Sequence, residues 1–431
     1  MTIPVSEQGY ASENKSFWGV LSEDETPELQ WPKNIEVYDR MRRQDAQVIS
    51  VLRAVTLPVR RTNWRIDPNG ADPEVARQVA DDLGLPLAGE ADRPVIRTRD
   101  RFSWPDHLRL ALLMLPFGHA FFEQQYRIEN VGGVPRARLR KLGYRPPKTI
   151  SRIDAAADGG LVSISQHDVK KPISVDRLVA YVNEREGGNW LGQSMLRPAY
   201  KNWILKDRML RVQAQTVDRN GLGFPVYEAS EIHESVKGAE RVAREQAEID
   251  AGQKLAQGVR SGDKAGAAIP HGAKLTMKGV EGTLPDAEKP IRYYDEQIAR
   301  AVLAHFLNLG TETGSWALGS TFADFFTMSL QTLAEQIADV TNQHVIEDLV
   351  DLNWGTEAPA PRLVFDEIGS KNPATAEAIK RLIECGAITA DDKLEAHIRT
   401  TMNLPTADSE TARTLPPRRS YEAAPATEGT P

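Results

Sequence analysis

The chain is 431 residues long, 41% hydrophobic and 26% charged, with 53 basic against 60 acidic residues and a formal net charge of −7. Length and composition fit a soluble globular chain of roughly two to four domains with a sizeable core. The single cysteine, Cys385, excludes an intramolecular disulfide framework and a cysteine-based zinc site, and fits a reducing compartment. Lying among Ala378, Ile379, Leu382 and Ile383, it reads as a small core residue. No run approaches the roughly 18 apolar residues of a membrane span, and Met1 to Asn14 lacks the basic-then-apolar pattern of a secretion signal.

Residues 1–33 read as an extended arm, with Pro4, Pro27, Pro32 and the acidic run Glu23-Asp24-Glu25. Asn34 stands as an N-cap before Tyr38, Met41, Val48, Leu52 and Val55, whose spacing predicts one helical face ending at Pro58. Thr62–Asp67 reads as a strand stopped by Pro68-Asn69-Gly70. A short helix runs from Pro73 to Gly84, and a second starts at Ser103 with Leu108, Leu112 and Leu115. Gly118–Ile128 and Arg136–Leu142, turned by Gly132-Gly133, predict a hairpin. Further strands are expected at Leu161–Gln166 and Leu178–Val182, which makes the first half mixed α+β.

From Ser194 to Arg219 the pattern predicts one long helix, broken by Gly221, Gly223 and Pro225. A strand at Pro225–Ala229, a charged helix at Glu231–Gln257 and a strand at Lys274–Val280 follow. A third long helix spans Pro290–Leu309. A glycine-bearing loop at 310–320 leads into a fourth helix from Thr321 to Leu352, whose length predicts a bend. Leu363–Phe365 reads as a strand, with small helices after Pro373 and Thr389 and a disordered tail at 405–431.

Catalytic patterns are weak throughout. The glycine-rich string Gly310–Gly319 lacks the lysine of a phosphate loop and follows a helix. His344 and Glu347 share a helix face without a third ligand, so an exposed polar face is the reading. Gly192-Gln193-Ser194 lacks the second glycine of a nucleophile elbow, which leaves Ser194 as a helix-capping serine. The carboxylate cluster Asp391-Asp392 reads as a complement to a helix dipole. Arg136, Arg138, Arg140, Lys141, Arg145 and Lys148 form a basic stretch that reads either as a DNA contact or as a solvated strand face. No catalytic residue, metal ligand or cofactor is assigned.

Four strings carry a resemblance. They are Trp31-Pro32 with Tyr38, Met41, Asp45, Arg53 and Trp64–Pro68; Trp104, Leu108 and Leu112 with Gly118–Glu123; Asn189–Tyr200 with Trp203 and Lys206; and Ile269–Ala273, followed by the helix from Pro290 and the loop with Gly314–Ala317. In order and spacing, over roughly residues 31 to 355, they resemble the portal proteins of tailed bacteriophages, in the Mu-like branch. The sequence departs from that branch at Gly221-Leu222-Gly223-Phe224-Pro225, which stands where a phenylalanine-glycine-proline string often follows the first stem helix.

The resemblance implies an α+β portal fold with a mixed α/β wing, paired stem helices, a small α/β clip and a helical crown. By the same resemblance the arm is 1–33, the wing 34–193, the first stem helix 194–220 and the clip 221–289. The second stem helix is 290–309, the tunnel loop 310–320, a long connecting helix 321–358, the crown region 359–404 and the tail 405–431. The resemblance implies stem packing by Trp203, Met209, Val212, Ile298, Val302 and Phe306, and a loop of Thr311, Glu312, Thr313, Gly314, Ser315 and Trp316 facing a DNA channel. A small, polar loop suits a lumen, Trp316 being the exception.

The implied partners are further copies of the chain in a ring of about a dozen, double-stranded DNA, large terminase, capsid protein or scaffold, and neck or adaptor proteins, with no membrane. The implied location is the portal vertex of a virion, assembled in the bacterial cytoplasm. A mildly acidic ring repels phosphate and lets DNA slide, where a basic one would hold it. Another head or neck protein, such as an adaptor or capsid subunit, is the competing structural reading, and a carboxylate-dependent nuclease is the competing enzymatic one.

Overall fold

The computed structural model describes residues 25–90, 102–222, 224–258, 268–278, 286–302 and 316–369, together with 380, 381, 383, 395 and 398. The chain divides into two units, Met1–Ile368 and Gly369–Pro431. In the second, the last five described positions are helical and fall within the two short helices expected there. Cys385, Asp391, Asp392 and the tail lie outside the described residues.

The first unit opens with two helices where the spacing had predicted one. Helix α1 spans Lys33–Gln44 and α2 spans Ala46–Arg61. Asp45 divides them. Its backbone is extended, and its carboxylate accepts hydrogen bonds from the Gln47 and Val48 amides at 2.8 and 3.0 Å, which is N-cap geometry. Pro58 does not end α2. It sits inside the last turn, and its carbonyl accepts from the Thr62 amide. Strand β1 (Trp64–Asp67) and α3 (Pro73–Leu83) follow, α3 closing on Gly84 in the left-handed conformation.

Helix α4 (Trp104–Ala111) and the short α5 (Met114–Phe117) lead into a long hairpin, β2 (His119–Val131) and β3 (Val134–Arg145), turned by Gly132-Gly133 at φ 59 and 87. Strand β7 (Leu178–Val182) pairs antiparallel with the other side of β2. A second sheet, β4 (Ile150–Ala155), β5 (Leu161–Gln166) and β6 (Ile173–Ser174), packs with Phe121 and Leu178 through Ile150, Leu161 and Ile164. The free edge of β3 is capped by side chains. Asn353 donates to the Ala137 carbonyl and accepts from its amide, and Asp82 accepts from the Leu139 amide.

Helix α6 (Tyr200–Leu222) begins six residues later than the sequence indicated. Ser194–Ala199 instead form turns, and the Ser194 hydroxyl is spent locally: it donates to the Pro116 carbonyl at 2.6 Å and accepts from the Leu196 amide. Beyond α6 lie β8 (Phe224–Glu228), α7 (Ala239–Gly258) and β9 (Lys274–Lys278), with β8 and β9 antiparallel. Gly252 of α7 lies under the Tyr227 ring, where a methyl would fall 2.1 Å from a ring carbon. Helix α8 (Glu288–Arg300) returns to pack on α6 and α2.

The long fourth helix is α9, Trp316–Thr341. The expected irregularity is a π turn at Asn342–Ile346, after which α10 continues over Glu347–Trp354. The π turn is pinned from the wing sheet, because Gln124 donates to the His344 carbonyl (2.6 Å) and to the Asp348 carboxylate (2.8 Å). Strand β10 (Arg362–Phe365) then pairs with β1, Trp64 opposite Phe365. The first strand of the segment that follows residue 359 therefore pairs back onto the strand that follows α2. The main core joins α2, α3, α4, α9, α10 and the β2–β7 sheet.

Candidate functional site: the root of the paired helices

Three of the four strings singled out in the sequence converge at the start of α6. The approach begins with two glycines. Gly118, at φ 87, and Gly192, at φ 63, bring their backbones together so closely that a methyl on either would fall within 2.4 Å of an opposing carbonyl oxygen. Around them the His119 ring bonds the Leu191 carbonyl at 2.9 Å, and the Asn183 amide donates to the Gly118 carbonyl at 2.8 Å. The Asn183 side chain donates to the Gln193 carbonyl, and the Met195 amide donates to that of Leu115. The segment 189–195 is thus fastened along its length to the start of β2.

A separate apolar cluster fills the next layer. Ile35, Tyr38 and Met41 of α1, Val48 and Leu52 of α2, Phe117, Leu196, Ala199, Tyr200 and Ile298 are all buried together. Tyr200 donates to the Glu28 carboxylate, which ties the arm to the first turn of α6. Arg40 lies over the Trp203 ring at 5.4 Å.

Within this root sits a lysine. Lys206 is 6% exposed, and its ammonium reaches Asp45 at 2.9 Å and Asp295 at 2.6 Å. One side chain on α6 therefore joins the N-terminus of α2 to the middle of α8. Burial works against its charge, but the two carboxylates outweigh that and raise its pKa above 10.5. Lys206 and Asp45 stood in the strings quoted from the sequence, but their pairing was not legible there, nor was Asp295.

Two buried histidines stiffen the wing behind the root. Thr341 donates to the Ile337 carbonyl at 2.7 Å, so Tyr181 must donate to Thr341 and His107 Nε2 to Tyr181, both at 2.9 Å. That leaves His107 Nδ1 bare, and it has no partner among the described residues. The ring is neutral, and burial pushes its pKa down to about 3. His119 is likewise pushed down to about 4 by burial, partly offset by its bond to Leu191.

A family model for the portal protein of Mu bacteriophage matches residues 35–404. The chain belongs to the Mu portal protein family. Its fold is that of a chain in the virion of a native gene transfer agent particle, with a TM-score of 0.51 at 12% identity over 88% of this chain and 95% of that one. A chain in the neck of the native particle, computed with C12 symmetry, gives 0.51 at 14% identity over 87% and 95%. An HK97-family phage portal protein from Corynebacterium diphtheriae gives 0.38 at 14% identity over 77% and 95%. Portal proteins are structural components of the particle rather than enzymes.

The residues expected to pack the portal stem divide. Trp203 and Met209 are half-buried, on the same side of α6 as Lys206 or flanking it. Val212 is 43% exposed. Ile298 is buried at the root, and Val302 is buried in the wing core. Phe306 and the tunnel-loop residues Thr311, Glu312, Thr313, Gly314 and Ser315 lie outside the described residues. Trp316 is not in a loop, because α9 begins with it.

The basic stretch is largely consumed by ion pairs. Arg136 meets Glu74 and stacks over Trp354, Arg138 meets Asp82, Arg145 meets Glu123 and Lys148 meets Asp39. Arg140 and Lys141 alone of the six are exposed and without such a partner among the described residues. Among the described residues no three metal-binding side chains converge, and no helix is long and apolar enough to cross a membrane.

Proposed function

We propose that this portal protein is the subunit of a ring of about a dozen copies that encloses a channel for double-stranded DNA at one capsid vertex. α6 and α8 are the stem, and β8–α7–β9 is the clip that meets large terminase and later a neck protein. Capsid protein or scaffold holds the ring at the vertex, and assembly takes place in the bacterial cytoplasm.

One observation carries the reading. Through Lys206 the root of α6 is fixed to α8 and to the start of α2, while Ile204, Leu210, Val212 and Val217 stay 42–65% exposed along the helix. A helix that leaves aliphatic side chains exposed on several faces is built to be covered by neighbours. Negative-stain microscopy with light-scattering mass tests this. Rings with a central hole and a mass of about twelve subunits are expected. A chain that stays monomeric with and without capsid and scaffold proteins overturns the reading.

A further inference from the structure

Two helices carry opposite charges on faces that no described residue covers. α2 contains no acidic residue. Arg53, Leu57, Arg60 and Arg61 recur on one exposed face of it, and no ion pair engages any of the three arginines among the described residues. Most arginines elsewhere in the wing are paired, among them Arg65, Arg77, Arg127, Arg138, Arg145 and Arg177.

α9 is the complement. In its 26 residues there is no lysine, arginine or histidine. Its acids, Asp324, Glu335 and Asp339, are all exposed and engaged in no ion pair among the described residues. Beside them Phe325 and Met328 are 59% and 62% exposed, as Leu57 is 52% exposed between the arginines. The charged stretch on α2 is about 12 Å long, and that from Asp324 to Glu335 about 17 Å, at 1.5 Å per residue.

The two faces do not meet within one chain. α2 and α9 share the wing core through their buried sides, Val51, Val55 and Val59 with Phe326, Leu330 and Ile337. A closed ring repeats a heterologous contact, in which each subunit presents two different surfaces and each fits the other on the next copy. We infer that the arginine face of α2 docks on the acidic face of α9 of the adjacent subunit, with Leu57 against Phe325 and Met328. The inference rests on the ring reading. An exposed leucine amid the arginines favours a protein partner over DNA phosphates, which offer an apolar side chain nothing to pack against.

Cysteine pairing tests the contact directly. With Cys385→Ser as background, Leu57→Cys and Met328→Cys together are expected to give a ladder of covalently linked subunits on oxidation, and either alone none. The triple reversal of Arg53, Arg60 and Arg61 to Glu is expected to raise the concentration needed for rings at least tenfold with unchanged monomer melting. Reversing Asp324, Glu335 and Asp339 to Lys in the same chain should restore it. Wild-type rings without a ladder, or a link within one chain, overturn the contact and leave the ring standing. Loss of duplex DNA binding in the triple reversal with ring formation intact overturns it in favour of DNA. Failure of the wild type to form rings at all overturns both.

Discussion

Gly118 and Gly192 touch backbone to backbone, with the Gly118 carbonyl 2.3 Å from where a Gly192 methyl would sit. Both have positive φ, so any side chain there meets conformational strain as well as a clash. Gly192→Ala and Gly118→Ala are each expected to cost roughly 3 kcal/mol or more. Urea unfolding followed by tryptophan fluorescence measures this. A loss under 1 kcal/mol, about what the conformation alone costs, would mean the two segments separate freely.

Lys206→Met removes the one cation that, among the described residues, joins Asp45 and Asp295. Two partly buried carboxylates are then left without it, at an expected cost of about 3 kcal/mol or more. The pH dependence has a fixed sign. The folded pKa is raised, so the stabilisation is complete below 10.5 and fades only as pH climbs through the folded value. Thermal melting of wild type and variant from pH 7 to 11 should show their difference shrinking at the alkaline end.

His107 and His119 act at the other end of the scale. Their folded pKa values are depressed, so the unfolded chain binds protons first as pH falls below 6.5. Each histidine should remove roughly 2 kcal/mol of stability by pH 5 and nothing above pH 7. In His107→Phe the slope of stability against pH between 5 and 6 should fall by about 1.4 kcal/mol per pH unit. An unchanged slope would place the acid sensitivity elsewhere.

On the open faces of α6, Val212→Asp and Val217→Asp should leave monomer stability within about 0.5 kcal/mol of wild type. Ring formation, read by mass photometry, should weaken at least tenfold. Equal assembly would mean that these residues face solvent in the particle.

The sequence was most legible where one local rule governed. Leu161–Gln166 and Leu178–Val182 are strands at the expected bounds, because apolar content and flanking turns agree there. The split between α1 and α2 was hidden because Tyr38, Met41, Val48 and Leu52 keep helical spacing across Asp45, and only the backbone reveals that Asp45 is a cap. Strand β4 was missed because Arg152 and Asp154 pair with each other along it and break the apolar alternation. The root of the stem was half legible. Its strings stood out, but a lysine drawing one carboxylate from 161 residues away and another from the returning helix leaves no local pattern.

The pairing of β1 with β10 sets a timetable for synthesis. Thr62 and Asp366, which bond across that junction, lie 304 residues apart in the chain. At about 5–20 residues per second, the Trp64 strand waits roughly 15–60 s on the ribosome for its partner. The paired helices and the clip are both made within that interval. A nascent subunit therefore carries an unpaired β1 edge while α6 and α8 are already made, and a chaperone that covers β1 in those seconds is expected to raise the yield of folded chains.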